Sequence, residues 1–322
     1  MSLATLAIGM INGLGLSKSA ARQITRWVAS PRRVRKTFGD YAAGEHDVFV
    51  ASFMKSGTNW MMQLATQTAW RGEADFDHIH DLVAWPDTPV PGPVPLTDPT
   101  PWQSAPTGLR VIKTHAPAAL VPWSPDARYL VVLRDPKEVM VSAYHFALPL
   151  MGMVGHITPE DWLDLYMSDR AEGSNLWANH VLSWWALRDK PNVEVFFYDD
   201  MKADLPGTVD RVAQLMGVVL DAEQRAAVVE RSGFKWMKAH QSQFLPTPLP
   251  GMAGEEMPDM IRRGATGGAN ELYSAAQLDR IDATILSALQ HLKSDFPYRK
   301  RWMKGANGAE ADGGESAGGG NR

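Results

Sequence analysis

The chain has 322 residues, 45% of them apolar and 9% aromatic, enough for one large or two small domains built on a hydrophobic core. Its formal charge of −4, from 32 basic and 36 acidic residues, supplies no basic excess for holding duplex nucleic acid by its phosphates. Cysteine is absent, which excludes a disulfide framework, a thiolate zinc site and a cysteine nucleophile, and fits a reducing, cytoplasmic compartment.

No apolar run is long enough to cross a bilayer as a helix. Leu3 to Leu16 is mildly apolar but interrupted by Gly9, Gly13 and Gly15, and the charges Lys18, Arg22 and Arg26 follow it, the wrong order for a signal peptide. It reads as a helix packed on the body of the protein, with peripheral membrane contact through residues 3–16 as the alternative. Val48 to Phe53 predicts a short apolar strand and Asn59 to Trp70 a helix. Trp85 to Pro106 contains eight prolines, which excludes regular helix or central strand and marks a functional surface loop. Leu109 to Thr114 is strand-like, and Tyr129 to Leu133 is an apolar run of the buried parallel type. Asp135, Pro136 and Glu138 form a helix start of cap, first-turn proline and acidic third position. Val193 to Phe197 is a further buried strand. The stretch from Gln241 to Met260 is irregular. Ser274 and Gln277 form a capping box for a helix with Leu278, Ile281, Ile285, Leu289 and Leu292 on one face. Gly305 to Arg322 is glycine-rich and acidic, a composition that predicts disorder. Strands alternating with helices imply an α/β fold: a single domain with a central, mostly parallel sheet flanked by helices. Ligands of such sheets bind at the carboxyl ends of the strands.

The first strand runs through Lys55-Ser56-Gly57-Thr58-Asn59-Trp60 into a helix. A strand, a glycine turn and a helix N-terminus make an anion site, because successive N–H groups and the helix dipole point at one place. The glycine and lysine order of a Walker A loop is missing. As a bare pattern the segment is equally a capped helix with an exposed lysine. The second strand places Lys113 and His115 two residues apart, on the same face, and histidine is suited to proton transfer near neutrality. Arg134 ends the third strand, suited to a phosphate or to an ion pair with a neighbouring carboxylate. Tyr198 ends the fourth strand. Arg262-Arg263-Gly264 sets two guanidinium groups beside a glycine, and adjacent arginines are also a common solvated surface. Convergence of cations 55, 113, 134, 262 and 263 with one histidine would suit a ligand with two separate anionic groups.

These segments resemble the cytosolic-type sulfotransferase family. Phe49 to Trp60 is similar to its P-loop-like 5′-phosphosulfate loop, Leu133 to Val139 with Ser142, Tyr144, His145 and Phe146 to its 3′-phosphate motif, and Lys113-Thr114-His115 to the strand bearing the catalytic base. Trp177, His180, Val181, Trp184 and Trp185, then Phe197 to Lys202 and Phe234 to Lys238, match further segments, so that the resemblance spans roughly residues 45 to 300 in order. It implies an N-terminal helical extension over 1–44, a sulfotransferase domain over 45–304 and a tail over 305–322. It also implies 3′-phosphoadenosine 5′-phosphosulfate (PAPS) as co-substrate and no metal. Lys55, Ser56, Gly57, Thr58 and Asn59 would hold the phosphosulfate. Trp60 would stack on adenine, with Tyr198, Ser232, Phe234 and Met237 lining the base and ribose. Arg134, Ser142, Arg262, Arg263 and Gly264 would hold the 3′-phosphate. His115 would be the general base, with Lys113 and Lys55 stabilising the transferring group.

Three departures stand out. Met54 replaces the proline usual before the loop lysine. Gly267-Gly268-Ala269-Asn270 stands where the family has Gly-Asp-Trp-Lys. Asn270, Ser274, Ala275 and Asp279 erode its dimer motif, which leaves the oligomeric state open. The acceptor is expected to be a small-molecule hydroxyl, with Phe53, Trp85, Phe146 and Phe244, and also Trp102, Met151 and Met153, as apolar lining that favours a phenol, sterol or lipid-like alcohol over a sugar or glycolipid hydroxyl. A phosphotransferase and a non-catalytic nucleotide-binding protein are the other readings. The missing Walker A order argues against the first, and retention of Lys55, Lys113 and His115 against the second.

Overall fold

The computed structural model describes residues 3–167, 176–245, 260–261 and 268–303. Three helices, Leu3–Gly13, Ser17–Val28 and Pro31–Phe38, precede the sheet. Four strands form it: β1 (Asp47–Ser52), β2 (Arg110–Thr114), β3 (Arg128–Leu133) and β4 (Val193–Phe197). Their order is β2-β1-β3-β4 and every pairing is parallel. The α/β class expected from the alternation of elements is the class observed. All six residues of β1 are buried, as a parallel strand covered on both faces requires.

Alternate strand residues feed two cores. Val48, Val50, Leu130 and Val132 pack with Met61 and Leu64 of the helix Thr58–Ala69. Phe49, Ala51, Tyr129 and Val131 pack on the other face with Val139, Trp184 and Ile285. Tyr129 stacks between Phe49 and Trp123, at 5.2 and 4.7 Å, and its hydroxyl donates to the Pro122 carbonyl. From β1 the chain adds β2 on one side and later β3 on the other. This reversal opens a crevice at the carboxyl ends of the central strands.

Two local expectations differ from what forms. Within the proline-rich segment, Thr100–Ser104 is one short helix, because Pro101 lies in its first turn where no N–H is needed. Ahead of it, Ala84 bridges Ile112 and accepts from the Lys113 N–H, so the segment begins as a cover on the β2 edge. The helix Pro136–Leu150 starts with Asp135 accepting from the Lys137 N–H at 2.9 Å. Glu138, however, does not fold back on the cap. Its carboxylate lies 3.6 Å from Arg134 and accepts from the Ala269 N–H at 3.2 Å, since a buried charge next to a guanidinium is better paired there. Ser274 and Gln277 do form their capping box, heading the helix Ala275–His291. Gly305 to Arg322 lies outside the described residues. Among those described, no helix is long and apolar enough to cross a membrane.

Leu130 lies in a central strand with no exposed surface. Leu130→Ala is expected to lower unfolding stability by about 2–5 kcal/mol, whereas Val219→Ala, at an 81% exposed position, should change it by less than about 0.5 kcal/mol; denaturant melts of the two variants check this.

Candidate active site

Where β1 ends, the chain turns sharply through Lys55, at φ +64°, and Gly57, at φ +102°, before the helix Thr58–Ala69 begins. Left-handed backbone disfavours a side chain at position 57, and a Cβ there would lie 2.8 Å from the Tyr198 ring. The strained Lys55 is braced by Arg134, whose Nη1 donates to the Lys55 carbonyl at 2.9 Å. Ser52 and Thr58 close the base of the turn with a 2.6 Å hydroxyl–hydroxyl bond. Met54, in place of a proline, receives the Tyr166 hydroxyl at its sulfur. The turn is thus held by side chains on both sides of it.

Beside this loop lies a cavity of about 440 Å³ at the carboxyl ends of the strands. Its described lining includes four cationic side chains, Lys55, Lys113, Arg134 and Lys202, and no carboxylate. Two buried donors next to it, Ser56 Oγ and Arg134 Nε, have no hydrogen-bond partner. Four cations and no carboxylate in the described lining, with unpaired donors beside it, make a site that suits an anionic ligand. Lys55 stands 3.8 Å from the centre of the Phe146 ring and donates to the Met260 sulfur. Arg134 lies over the Tyr198 ring at 4.4 Å, and Trp60 meets the same ring edge-on at 5.6 Å.

Lys113 and His115 enter from β2. The Lys113 ammonium sits 3.4 Å over the Trp85 ring; burial, reinforced by Lys55 and opposed by Asp87, lowers its pKa to about 7. His115 Nδ1 is 2.8 Å from the Ser52 carbonyl. A carbonyl only accepts, so Nδ1 carries the proton and the ring's lone pair is on Nε2. Burial and then Lys113 hold the His115 pKa well below its usual 6.5, so the imidazole is neutral at physiological pH. Behind the pair, Asp87 accepts from the His115 N–H at 2.9 Å and from Thr114 Oγ1 at 3.1 Å. His80 stacks on Trp85, which meets His115 edge-on, each pair 5.5 Å apart.

Of the residues singled out from sequence, Lys55, Gly57, Thr58, Asn59, Trp60, Lys113, His115, Arg134, Ser142, Tyr198, Phe234, Met237, Trp85, Phe146 and Phe244 line the cavity. Ser56 is buried beneath the loop, and Ser232, fully buried, offers only its carbonyl, which accepts from Trp60 Nε1 at 2.8 Å. Phe53 packs away from the lining against Tyr166 and His180. Trp102 stacks on His46, while Met153 belongs to the core and Met151 packs against it. Arg262, Arg263 and Gly264 lie outside the described residues. Sequence reading missed Asp87, His80 and Met260, and named His145 and Lys202 only as members of matching segments, with no role in the site. Of the missed residues only Asp87 left a signal, as the acidic residue following Trp85-Pro86 at the head of the proline-rich stretch.

Residues 45–293 match the model of the family described as the sulfotransferase domain. The chain is 27% identical over 251 residues to Sulfotransferase 1C2 of Rattus norvegicus, covering 75% of this chain and 82% of that protein. Among solved structures it is similar to retinol dehydratase in complex with retinol and PAP, with a TM-score of 0.65, 22% identity and coverage of 83% and 88% of the two chains. Mouse sulfotransferase SULT7A1 complexed with PAP aligns with a TM-score of 0.57 at 19% identity, covering 82% of this chain and 90% of that one. These structural likenesses establish the fold.

Gly57→Ala is expected to cost about 1–2 kcal/mol from left-handed backbone alone, with a further loss from the clash at Tyr198. In the double variant Gly57→Ala/Tyr198→Ala the clash is relieved and the backbone cost stays, so a double-mutant cycle on melting should show coupling between the two positions.

Proposed function

The chain belongs to the sulfotransferase domain family, and from that premise we propose that it transfers a sulfuryl group from PAPS to the hydroxyl of a phenol, sterol or lipid-like alcohol, with His115 as general base. The observation that carries this reading is the His115–Ser52 bond: it leaves a neutral imidazole with its lone pair on Nε2, beside the Lys113 ammonium, in a cavity whose described lining has four cations and no carboxylate.

The residues present fit the donor. The N–H groups of the 55–59 turn, with Lys55, Ser56, Thr58 and Asn59, would hold the 5′-phosphosulfate at the start of the helix Thr58–Ala69. Arg134 and Ser142 would take the 3′-phosphate, joined by Arg262, Arg263 and Gly264. Trp60, Tyr198, Phe234 and Met237 would enclose the base and ribose. Bound there, PAPS supplies an electrophilic sulfur with a phosphate leaving group. The acceptor oxygen forms a bond to sulfur while the bond from sulfur to the phosphate oxygen breaks, and the phosphate keeps the electron pair. His115 Nε2 takes the hydroxyl proton as that oxygen becomes nucleophilic, a contribution of about 10²–10⁴-fold. Lys113 and Lys55 neutralise charge growing on the transferring oxygens and on the leaving side.

At the acceptor end the lining is Trp85, Pro89, Val90, Pro93, Phe146 and Leu150. Such a wall rewards apolar area and offers few partners for the many hydroxyls of a sugar. Retinol, the molecule beside PAP in the retinol dehydratase structure, is an alcohol of this kind. Asp87 acts here as a positioning residue, since it grips the His115 backbone and Thr114 rather than the reacting atoms.

His115→Ala should abolish transfer while calorimetric affinity for adenosine 3′,5′-bisphosphate stays within a few-fold of wild type. Normal turnover in that variant would remove His115 as the base. The pH dependence has a defined sign. Lys113 is protonated below about 7 and loses its charge above that, so kcat/KM for the donor should fall as pH rises through about 7. No matching loss is expected from His115 on the acid side until pH is well below 6.5. A profile flat through neutrality on the alkaline side would contradict the role given to Lys113.

A further inference from the structure

The first 44 residues hold seven basic side chains and one acidic one, Asp40, for a net charge of +6, while the rest of the chain, with 25 basic and 35 acidic residues, carries −10. The charge asymmetry coincides with an unusual surface. Eleven large apolar residues are exposed among those described, and six of them fall within the first 27: Leu6, Met10, Leu14, Leu16, Ile24 and Trp27. Leu6, Met10 and Leu14 recur every fourth residue, one stripe along the helix Leu3–Gly13 and just past its end. Met10 is 67% exposed, Leu14 69% and Trp27 55%.

This segment is held on the body by its other side. Asn12 donates to the Gly152 carbonyl at 2.8 Å, and Ser17 donates to Asn12 Oδ1. Lys18 is occupied by Asp161 and Asp164, at 2.7 and 3.0 Å. By contrast Arg22, Arg26, Arg32, Arg35 and Lys36 are exposed and have no carboxylate partner among the described residues. An exposed apolar stripe, an exposed tryptophan and five exposed cations with no carboxylate partner among the described residues, all in one N-terminal segment of a chain that is otherwise acidic, match the chemistry of an anionic bilayer surface. Acyl chains accept the apolar side chains, the tryptophan ring suits the headgroup level, and lipid phosphates and carboxylates meet the cations. The acidic remainder of the chain would be repelled by the same surface, which fixes which face turns towards it.

We infer that the N-terminal helices form a reversible docking face for anionic lipid membranes. The face is mechanically joined to the site. Arg33 donates to the carbonyls of Asp87 and Thr88, at 2.8 and 3.2 Å, as well as to the Val28 carbonyl. It thereby links the basic helices to the loop that carries Trp85, Pro89 and Val90 into the cavity wall. Docking through Leu6, Met10, Leu14 and Trp27 would therefore act on a segment that Arg33 ties by hydrogen bonds to that wall.

The test is co-sedimentation of the full chain with vesicles of phosphatidylcholine, with and without phosphatidylserine, at low and high salt. Binding should require phosphatidylserine and weaken as salt rises. Arg22→Glu/Arg26→Glu and Met10→Asp/Leu14→Asp should each lower the affinity by on the order of tenfold or more, with melting temperatures unchanged because all four positions are exposed. The inference is overturned if wild type fails to sediment with either vesicle, or if both folded variants sediment as wild type does. It is also overturned if sedimentation velocity shows a wild-type dimer that Met10→Asp/Leu14→Asp dissociates, since a second copy would then cover the stripe.

Discussion

Ser52, at the carboxyl end of β1, is the point on which the site depends. Its carbonyl accepts His115 Nδ1 from the neighbouring β2, and its hydroxyl bonds Thr58 at the start of the following helix. One residue therefore sets both the tautomer of the imidazole and the position of the anion-binding turn. Parallel pairing makes this work. β1 lies between β2 and β3, so the chemistry borne by β2 and the guanidinium that ends β3 reach the same place without any long side-chain excursion. Arg134 completes the frame by holding the Lys55 carbonyl, and so keeps a non-glycine residue in left-handed backbone.

A cluster of like charges in a buried place is costly, and the arrangement of carboxylates tempers that cost. Glu138 flanks Arg134 on the helix Pro136–Leu150, and Asp87 lies on the far side of Lys113 and His115. Neither carboxylate lines the cavity, so both moderate the field of the cations without competing with an anion for its space. Burial still lowers the Lys113 pKa to about 7, with Asp87 opposing the shift and Lys55 adding to it. A bound anion would restore the proton to it, so ligand charge and lysine charge are linked.

Sequence reading reached the sheet because Val48–Phe53, Tyr129–Leu133 and Val193–Phe197 are apolar runs and Leu109–Thr114 is strand-like between helical segments, and it reached Lys55, Lys113, His115 and Arg134 because each sits at or just past a strand end. Its limits have equally physical sources. Ser232 and Phe53 are of the right type and near the right place, but orientation decides whether a side chain or only a carbonyl faces a cavity, and periodicity is silent on orientation outside regular elements. Glu138 was read as part of a cap because it stands three residues after Asp135; the neighbouring guanidinium is a stronger partner than the cap N–H. Asp87 stands out only as an acidic residue at the head of the proline-rich stretch; its role is not legible there because its partners, Thr114 and the His115 N–H, are distant in sequence, at the end of β2.

The Trp85 ring shows how one apolar surface can serve the charges and the base at once. It lies under the Lys113 ammonium, edge-on to His115 and stacked on His80. Its face offers Lys113 a favourable quadrupole without a counter-charge, while its bulk keeps water from both titrating groups. Exclusion of water depresses the affinity of His115 for a proton, which maintains a neutral base, and strengthens every interaction that Lys113 makes with an anion. Replacing such a wall with a carboxylate would hold Lys113 charged, but it would also raise the imidazole's proton affinity and repel the anion. The low-dielectric wall is therefore a requirement of having a neutral base and an anion-binding cation within one pocket.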